Sequence, residues 1–281
     1  MAVRDALLNI LRRAVSRPRP PPLATLPFQT LIAEAPEIVF APVPMADEIT
    51  GGRSLHDGYQ RGCGLAHTNM PAAIEADPLY RAAVEASGGW SIMVGAKRMD
   101  IFLILTRFLG RLEHHDVIEF GSYRGGNALF MAHILRKLHP QAKVYALDTY
   151  AGMPATDLTR DAHHAGDFSD TSQADLEARR DALGLSNLIV VPGRFEDSFP
   201  AIAASGATFG MAHIDCDIYS AVKYAQEAVW PHMTKGGYVV YDDADAPTCI
   251  GATEAVEELI MDRRLHAEQV WPHWVFRAGL A

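Results

Sequence analysis

The stretch Asp116-Val117-Ile118-Glu119-Phe120-Gly121-Ser122-Tyr123-Arg124-Gly125-Gly126-Asn127 runs from an apolar segment through a glycine-rich turn into helical spacing. Residues 117–120 read as a buried strand and 126–138 as the helix that follows it. Glycines in such a turn let backbone amides approach a ligand closely, at the strand end where open α/β sheets carry their binding crevice. The spacing is not G-x-G-x-x-G, and Glu119 stands where an anion would repel a pyrophosphate. A dinucleotide therefore fits poorly, and an ammonium or sulfonium ligand fits better.

Working outward, strand-like runs at 144–147, 188–191, 211–214 and 238–241 alternate with helical patterns at 172–183, 219–229 and 253–264, closed by breakers such as Gly184 and Pro231. Such alternation implies an α/β fold with a doubly wound parallel sheet covered on both faces. Asp148, just past the second run, occupies the position where a carboxylate accepts hydrogen bonds from ribose hydroxyls. The competing reading makes the glycines a plain tight turn and Glu119 and Asp148 solvated strand ends. Residues 269–276, rich in Val, Trp and Phe and interrupted by Pro272, suit an edge hairpin.

Upstream, Ile101, Phe102, Ile104, Leu105, Phe108 and Leu109 recur at helical spacing and predict a helix over 99–112 with one buried face. Residues 36–78, rich in Pro, Gly and Asp, predict loops and short helices acting as a lid. The run Arg17-Pro18-Arg19-Pro20-Pro21-Pro22 reads as a stiff linker behind an amphipathic helix at 1–16 that docks on its own domain or on a second subunit. The expected organisation is thus 1–22 helix and linker, 23–89 cap, and 90–281 main domain.

The chain has 281 residues, 49% hydrophobic and 21% charged, enough to bury a full-sized core, which excludes a disordered or fibrous protein. Asp plus Glu number 34 against 25 Lys plus Arg, a net charge of -9, which argues against a nucleic-acid partner. Cys63, Cys216 and Cys249 have the spacing of neither a disulfide framework nor a zinc knuckle, so a cytoplasmic location is expected. No apolar stretch approaches the roughly 20 residues that cross a bilayer.

Two further strand ends are acidic: Asp215-Cys216-Asp217 after the fourth run, and Asp242-Asp243 after the fifth. In a parallel sheet both open onto one edge, and crowded carboxylates are relieved by shared protons or by a divalent cation. Oxygen-only donors favour Mg²⁺ over softer metals. The alternative is local: Asp242-Asp243 opens a turn and Asp217 caps the helix beginning near Tyr219. His213, within an apolar strand, reads as a hydrogen-bonded core residue, and Cys216 as core filling.

Seven segments together resemble the macrocin O-methyltransferase family of sugar O-methyltransferases. They are Met93-Val94-Gly95-Ala96-Lys97-Arg98-Met99, the Glu119 to Gly126 loop, Asp148-Thr149-Tyr150-Ala151-Gly152-Met153-Pro154, Gly166-Asp167-Phe168-Ser169-Asp170-Thr171, the segment from Gly193 to Pro200, His213-Ile214-Asp215-Cys216-Asp217-Ile218-Tyr219, and Asp242-Asp243. The match runs from about Trp90 to the C-terminus. The resemblance implies a Rossmann-like class I methyltransferase fold that uses S-adenosylmethionine and Mg²⁺ to methylate a hydroxyl of a sugar or polyol, in an enzyme that is a homo-oligomer. It implies Asp215, Asp242 and Asp243 as metal ligands and Asp217 as catalytic base. It implies Met93, Glu119, Phe120, Gly121, Ser122, Asp148, Ser169, Phe195 and Glu196 as the cofactor site. Two rivals remain at this stage: a nucleotide-sugar glycosyltransferase with Asp215-Cys216-Asp217 as its D-x-D motif, and a methyltransferase-like binding protein without turnover.

Overall fold

The computed structural model describes residues 55–93 and 95–278. The helix and linker expected at 1–22, and residues 23–54 of the expected cap, lie outside the described residues.

Among the described residues, four α-helices precede the sheet: α1 (Leu55–His67), α2 (Met70–Ala76), α3 (Pro78–Ser87) and α4 (Ala96–Leu103). The helix predicted over 99–112 is split, because α4 passes into a π-turn at Ile104–Phe108 and a 3₁₀ turn at Leu109–Arg111. Its apolar positions stay buried all the same, with Ile101, Phe102, Ile104, Leu105, Phe108 and Leu109 fully shielded.

Then come β1 (Asp116–Phe120), α5 (Gly126–Leu138), β2 (Val144–Asp148), α6 (Gln173–Ala182), β3 (Leu188–Pro192), α7 (Phe195–Ala204), β4 (Phe209–Ile214), α8 (Tyr219–Val229), β5 (Met233–Tyr241), α9 (Ile250–Arg263) and β6 (Trp274–Arg277). The strands form one sheet in the order β3-β2-β1-β4-β5-β6. The first five are parallel, and β6 runs antiparallel on the edge of β5. Of the expected C-terminal hairpin, only β6 is a full strand, with an isolated bridge from Gln269 to Val275.

Side chains alternate across the sheet, so each strand feeds two cores. Val117, Val144, Ala146, Met211 and Val240 pack with α3, α4 and α5 on one face. Ile118, Phe120, Leu147, Ala212, Ile214 and Val239 pack with α8 and α9 on the other. Sequence reading missed α7 because Pro200 sits inside it, where proline normally stops a helix. Burial of Phe199 and Ile202 anchors it.

The described part of the expected cap packs against the helices that flank the sheet. Tyr80 of α3 packs edge-on against Phe102 and Phe130, with ring centroids 5.2 and 5.8 Å apart. Arg61 of α1 is buried, and its Nε donates to Asp100 Oδ1 at 2.8 Å, while its Nη2 lies 3.4 Å from Glu268 Oε1. The other oxygen of Asp100 accepts from Gln269 Nε2 at 2.7 Å and from His273 Nδ1 at 2.9 Å. A buried charge on α1 is thereby tied to α4 and to the segment leading into β6, which compensates each charge for its lost hydration.

Candidate active site

Strand register assembles the site. β1 places Glu119 beside His213 of β4, on one face of the sheet. Glu119 Oε1 accepts from Asn127 Nδ2 at 2.6 Å and lies 3.2 Å from His213 Nδ1. His213 is thus the hydrogen-bonded core residue that its apolar strand implied.

Past their last residues, β1, β2, β4 and β5 deliver their acidic or glycine-rich turns to one edge. Gly121 has φ +90°, and a Cβ on it would lie 1.7 Å from the Asp215 carbonyl oxygen, so only glycine lets the two turns cross this closely. At the start of α5, a Cβ on Gly126 would lie 2.1 Å from the Ser91 nitrogen. That close approach carries residues 90–93 over the helix N-terminus and into the site.

These turns enclose a cleft of about 1030 Å³, including the space open to solvent. Met93, Glu119, Gly121, Ser122, Asp148, Phe195 and Glu196 line it, together with Asp215 and Asp217. The Phe120 side chain lies beneath it, fully buried, with its ring 5.2 Å from that of Phe195. Ser169 is not part of the lining. Lining residues that sequence reading did not single out as ligands include Trp90, Tyr123 and Arg194.

Two observations bear on what the cleft can hold. Glu119, one of the lining residues, is 1% exposed and its Oε2 has no hydrogen-bond partner among the described residues, a buried acceptor at the cleft wall that a ligand cation would satisfy. Asp148 accepts from the Tyr123 and Tyr150 amides at 2.7 and 2.8 Å, which fixes its carboxylate at the strand end with lone pairs to spare. Both fit a ligand carrying an ammonium or sulfonium at one end and a ribose at the other.

Behind the cleft, Asp215, Asp242 and Asp243 each bring a carboxylate oxygen within 4.8 Å of the other two, a hard-cation donor set. Asp242 is held on both sides, by Lys97 Nζ at 2.8 Å and by His273 Nε2 at 3.1 Å. The sequence marks Lys97 only as part of a motif and His273 only as part of an edge hairpin, because their partner Asp242 lies far away in the chain. Asp243 does open a turn, its carbonyl accepting from the Ala246 amide at 3.0 Å, but its carboxylate accepts from the Asp217 amide at 3.1 Å. Asp217 does not cap α8: the Tyr219 amide donates instead to Asp161 Oδ1 at 2.8 Å. Asp217 itself adopts φ +61°, a left-handed conformation rarely taken outside functional or turn positions.

The electrostatics match this crowding. Burial and then the Asp242 charge push Asp215 well above the carboxylate range. Burial raises Asp217 to about 6 and, with Asp217 and Asp242 adding to it, Asp243 to about 8. Asp242 goes the other way: burial opposes its charge, but the His273 hydrogen bond and the His273, His213 and Lys97 charges hold it low. Acids raised in the fold bind protons that the unfolded chain releases, so their stabilisation is present at low pH and is lost as pH rises through the folded values. Without added metal, the melting temperature should therefore fall between about pH 4 and pH 8, and Mg²⁺ should reverse the fall. Differential scanning fluorimetry across that range reads both; a flat profile would contradict the cluster's protonation.

The solved structure of the O-methyltransferase NovP aligns with a TM-score of 0.57 at 22% identity, covering 66% of this chain and 81% of that one. The fold is therefore the Rossmann-like fold of class I methyltransferases. The profile described as Macrocin-O-methyltransferase (TylF) matches residues 79–270, and the chain belongs to that family. Among characterised relatives, the 8-demethyl-8-(2,3-dimethoxy-alpha-L-rhamnosyl)-tetracenomycin-C 4'-O-methyltransferase of Streptomyces olivaceus is 28% identical over 168 residues, 56% of this chain and 64% of that protein. The demethyldecarbamoylnovobiocin O-methyltransferase of Streptomyces niveus is 27% identical over 205 residues, 65% of this chain and 74% of that protein. The chain thus spans under two thirds of the first relative's length. Among the described residues, no helix is long and apolar enough to cross a membrane.

Proposed function

We propose that the chain is an S-adenosylmethionine-dependent O-methyltransferase acting on a hydroxyl of a sugar or polyol, in a glycosylated natural product or a saccharide, with Mg²⁺ at Asp215, Asp242 and Asp243. The observation that carries this reading is the buried Glu119 carboxylate oxygen, without a hydrogen-bond partner among the described residues, beside a cleft that Asp215 of the carboxylate set also lines. The cofactor would supply a sulfonium methyl, and a hard cation held by Asp215, Asp242 and Asp243 would supply positive charge that stabilises a developing alkoxide. The chain's own residues do the rest. Glu119 would take the ammonium end of the cofactor, and Asp148 its ribose hydroxyls.

Asp217 stands between cleft and carboxylate set, raised toward neutral pH, where a carboxylate serves well as general base; it would take the hydroxyl proton on a side-chain oxygen. Lys97 and His273 would keep Asp242 in place as a metal ligand. The cleft walls would align the two reactants and exclude water, the main source of acceleration for an in-line displacement in which charge is neutralised. The acceptor class is supported by the family and by the sugar-bearing substrate named for the Streptomyces olivaceus relative.

Isothermal titration with S-adenosylmethionine and S-adenosylhomocysteine, with and without Mg²⁺, tests the reading. Micromolar cofactor binding is expected for wild type and for Asp215→Ala, with heat from Mg²⁺ binding lost in the variant alone. A chain that binds neither cofactor is not a methyltransferase.

A further inference from the structure

A second constellation lies beside the carboxylate set, made of donors of a different kind. Cys249 Sγ is 3.6 Å from Asp217 Oδ1 and 3.7 Å from His163 Nε2, and His163 Nε2 is 3.8 Å from Asp217 Oδ1. The three atoms form a nearly equilateral triangle. Ligands about 2.0–2.3 Å from a tetrahedral Zn²⁺ stand about 3.3–3.5 Å apart for this donor set, so a contraction of up to about 0.5 Å closes the triangle on the metal.

The surroundings are those of a zinc ligand set. His163 presents Nε2 to the triangle while its Nδ1 lies 3.6 Å from Asp167 Oδ2, the carboxylate behind an imidazole that orients metal-binding histidines. The loop carrying His163 is pinned by Asp161, which accepts from the first amide of α8. Cys249 is 3% exposed at the start of α9, and His163 and Asp217 are each about one fifth exposed, so the triangle is reachable from solvent on one side. Sulfur and imidazole nitrogen select Zn²⁺ over Mg²⁺, whereas the three aspartates next door do the opposite.

We propose that His163, Asp217 and Cys249 form a Zn²⁺ site, separate from the carboxylate set, whose occupation withdraws Asp217 from proton transfer and so inhibits methylation. Three protein ligands and one water complete the coordination, the composition of open zinc sites. As the Zn–S bond forms, the Cys249 thiol proton leaves to solvent, and no electron changes hands. The binding half stands on geometry alone; the inhibitory half rests on Asp217 as the base.

Zn²⁺ is titrated into the full chain with Mg²⁺ in excess, in competition with a chromophoric chelator, and Co²⁺ serves as the optical probe. Wild type should bind one Zn²⁺ per chain at this site and show a thiolate-to-cobalt charge-transfer band. Cys249→Ser, which keeps the side-chain shape, should lose the band and bind at least about 100-fold more weakly; His163→Gln should weaken binding similarly, and Asp167→Asn by about 10-fold. Asp242→Ala should retain Zn²⁺ affinity. No Zn²⁺ binding by wild type, equal affinity in Cys249→Ser and His163→Gln, or loss of Zn²⁺ in Asp242→Ala equal to that in Cys249→Ser would each overturn the site. Methyl transfer should be inhibited by Zn²⁺ in wild type and resist it in Cys249→Ser. Zinc bound through Cys249 without inhibition would overturn the assignment of Asp217 as base and leave the metal site standing.

Discussion

Asp217→Asn should keep the fold and the cofactor affinity while lowering kcat by about 10²–10⁴-fold, the contribution usual for a positioned general base. Asparagine matches aspartate in shape and is among the few residues that tolerate the left-handed φ of +61° found here, so the backbone need not move. What the substitution removes is a proton acceptor on the cleft wall. The cofactor contacts proposed for Glu119 and Asp148 lie on β1 and β2 and are untouched. Single-turnover assays beside cofactor titration separate the two effects; methylation at the wild-type rate would take Asp217 out of the chemistry.

Arg61→Met should destabilise the protein by about 3–5 kcal/mol, the cost of removing one partner from a buried ion pair. For a domain of this size that corresponds to a melting temperature lower by about 6–20 °C. The side chains of Arg61, Asp100 and Glu268 are all 0% exposed, so water cannot replace the lost guanidinium. Asp100 would keep His273 and Gln269, and Glu268 would keep Arg277, but both carboxylates would lose the buried guanidinium they share. Denaturant unfolding checks the expectation, and a loss below about 1 kcal/mol would show that α1 is held by apolar contacts instead. Because His273 also holds Asp242, a variant rescued by low temperature should bind Mg²⁺ more weakly than wild type, though no residue of the carboxylate set has changed.

The fold was legible where burial imposes pattern. Strands of a parallel sheet are hidden on both faces, so their runs are apolar throughout, and five of the six strands among the described residues stand where such runs occur. The bounds of α5 and α8 follow from Gly126 and from the stop before Pro231. What escaped the sequence is what depends on partners distant in the chain. Nothing near Asp161 announces that it caps α8, and nothing near His273 announces Asp242. That the acidic ends of β4 and β5 converge could be foreseen from topology, because parallel strands end on one edge, while the particular set Asp215, Asp242 and Asp243 was implied only by the family resemblance. The conformation of Asp217 and the triangle it makes with His163 and Cys249 could not, since a loop and the start of a helix meet there without a strand to set their register.

The stretch that carries family kinship, 79–270, stops short of both ends of the clasp that joins Arg61 through Asp100 to His273. A polypeptide trimmed to that stretch would retain every proposed cofactor contact and every carboxylate of the metal set, yet would leave Asp100 buried without its guanidinium or its imidazole and would lack β6 altogether. The family stretch thus holds the site and the five parallel strands that carry it, while two members of the clasp and the edge strand lie outside it.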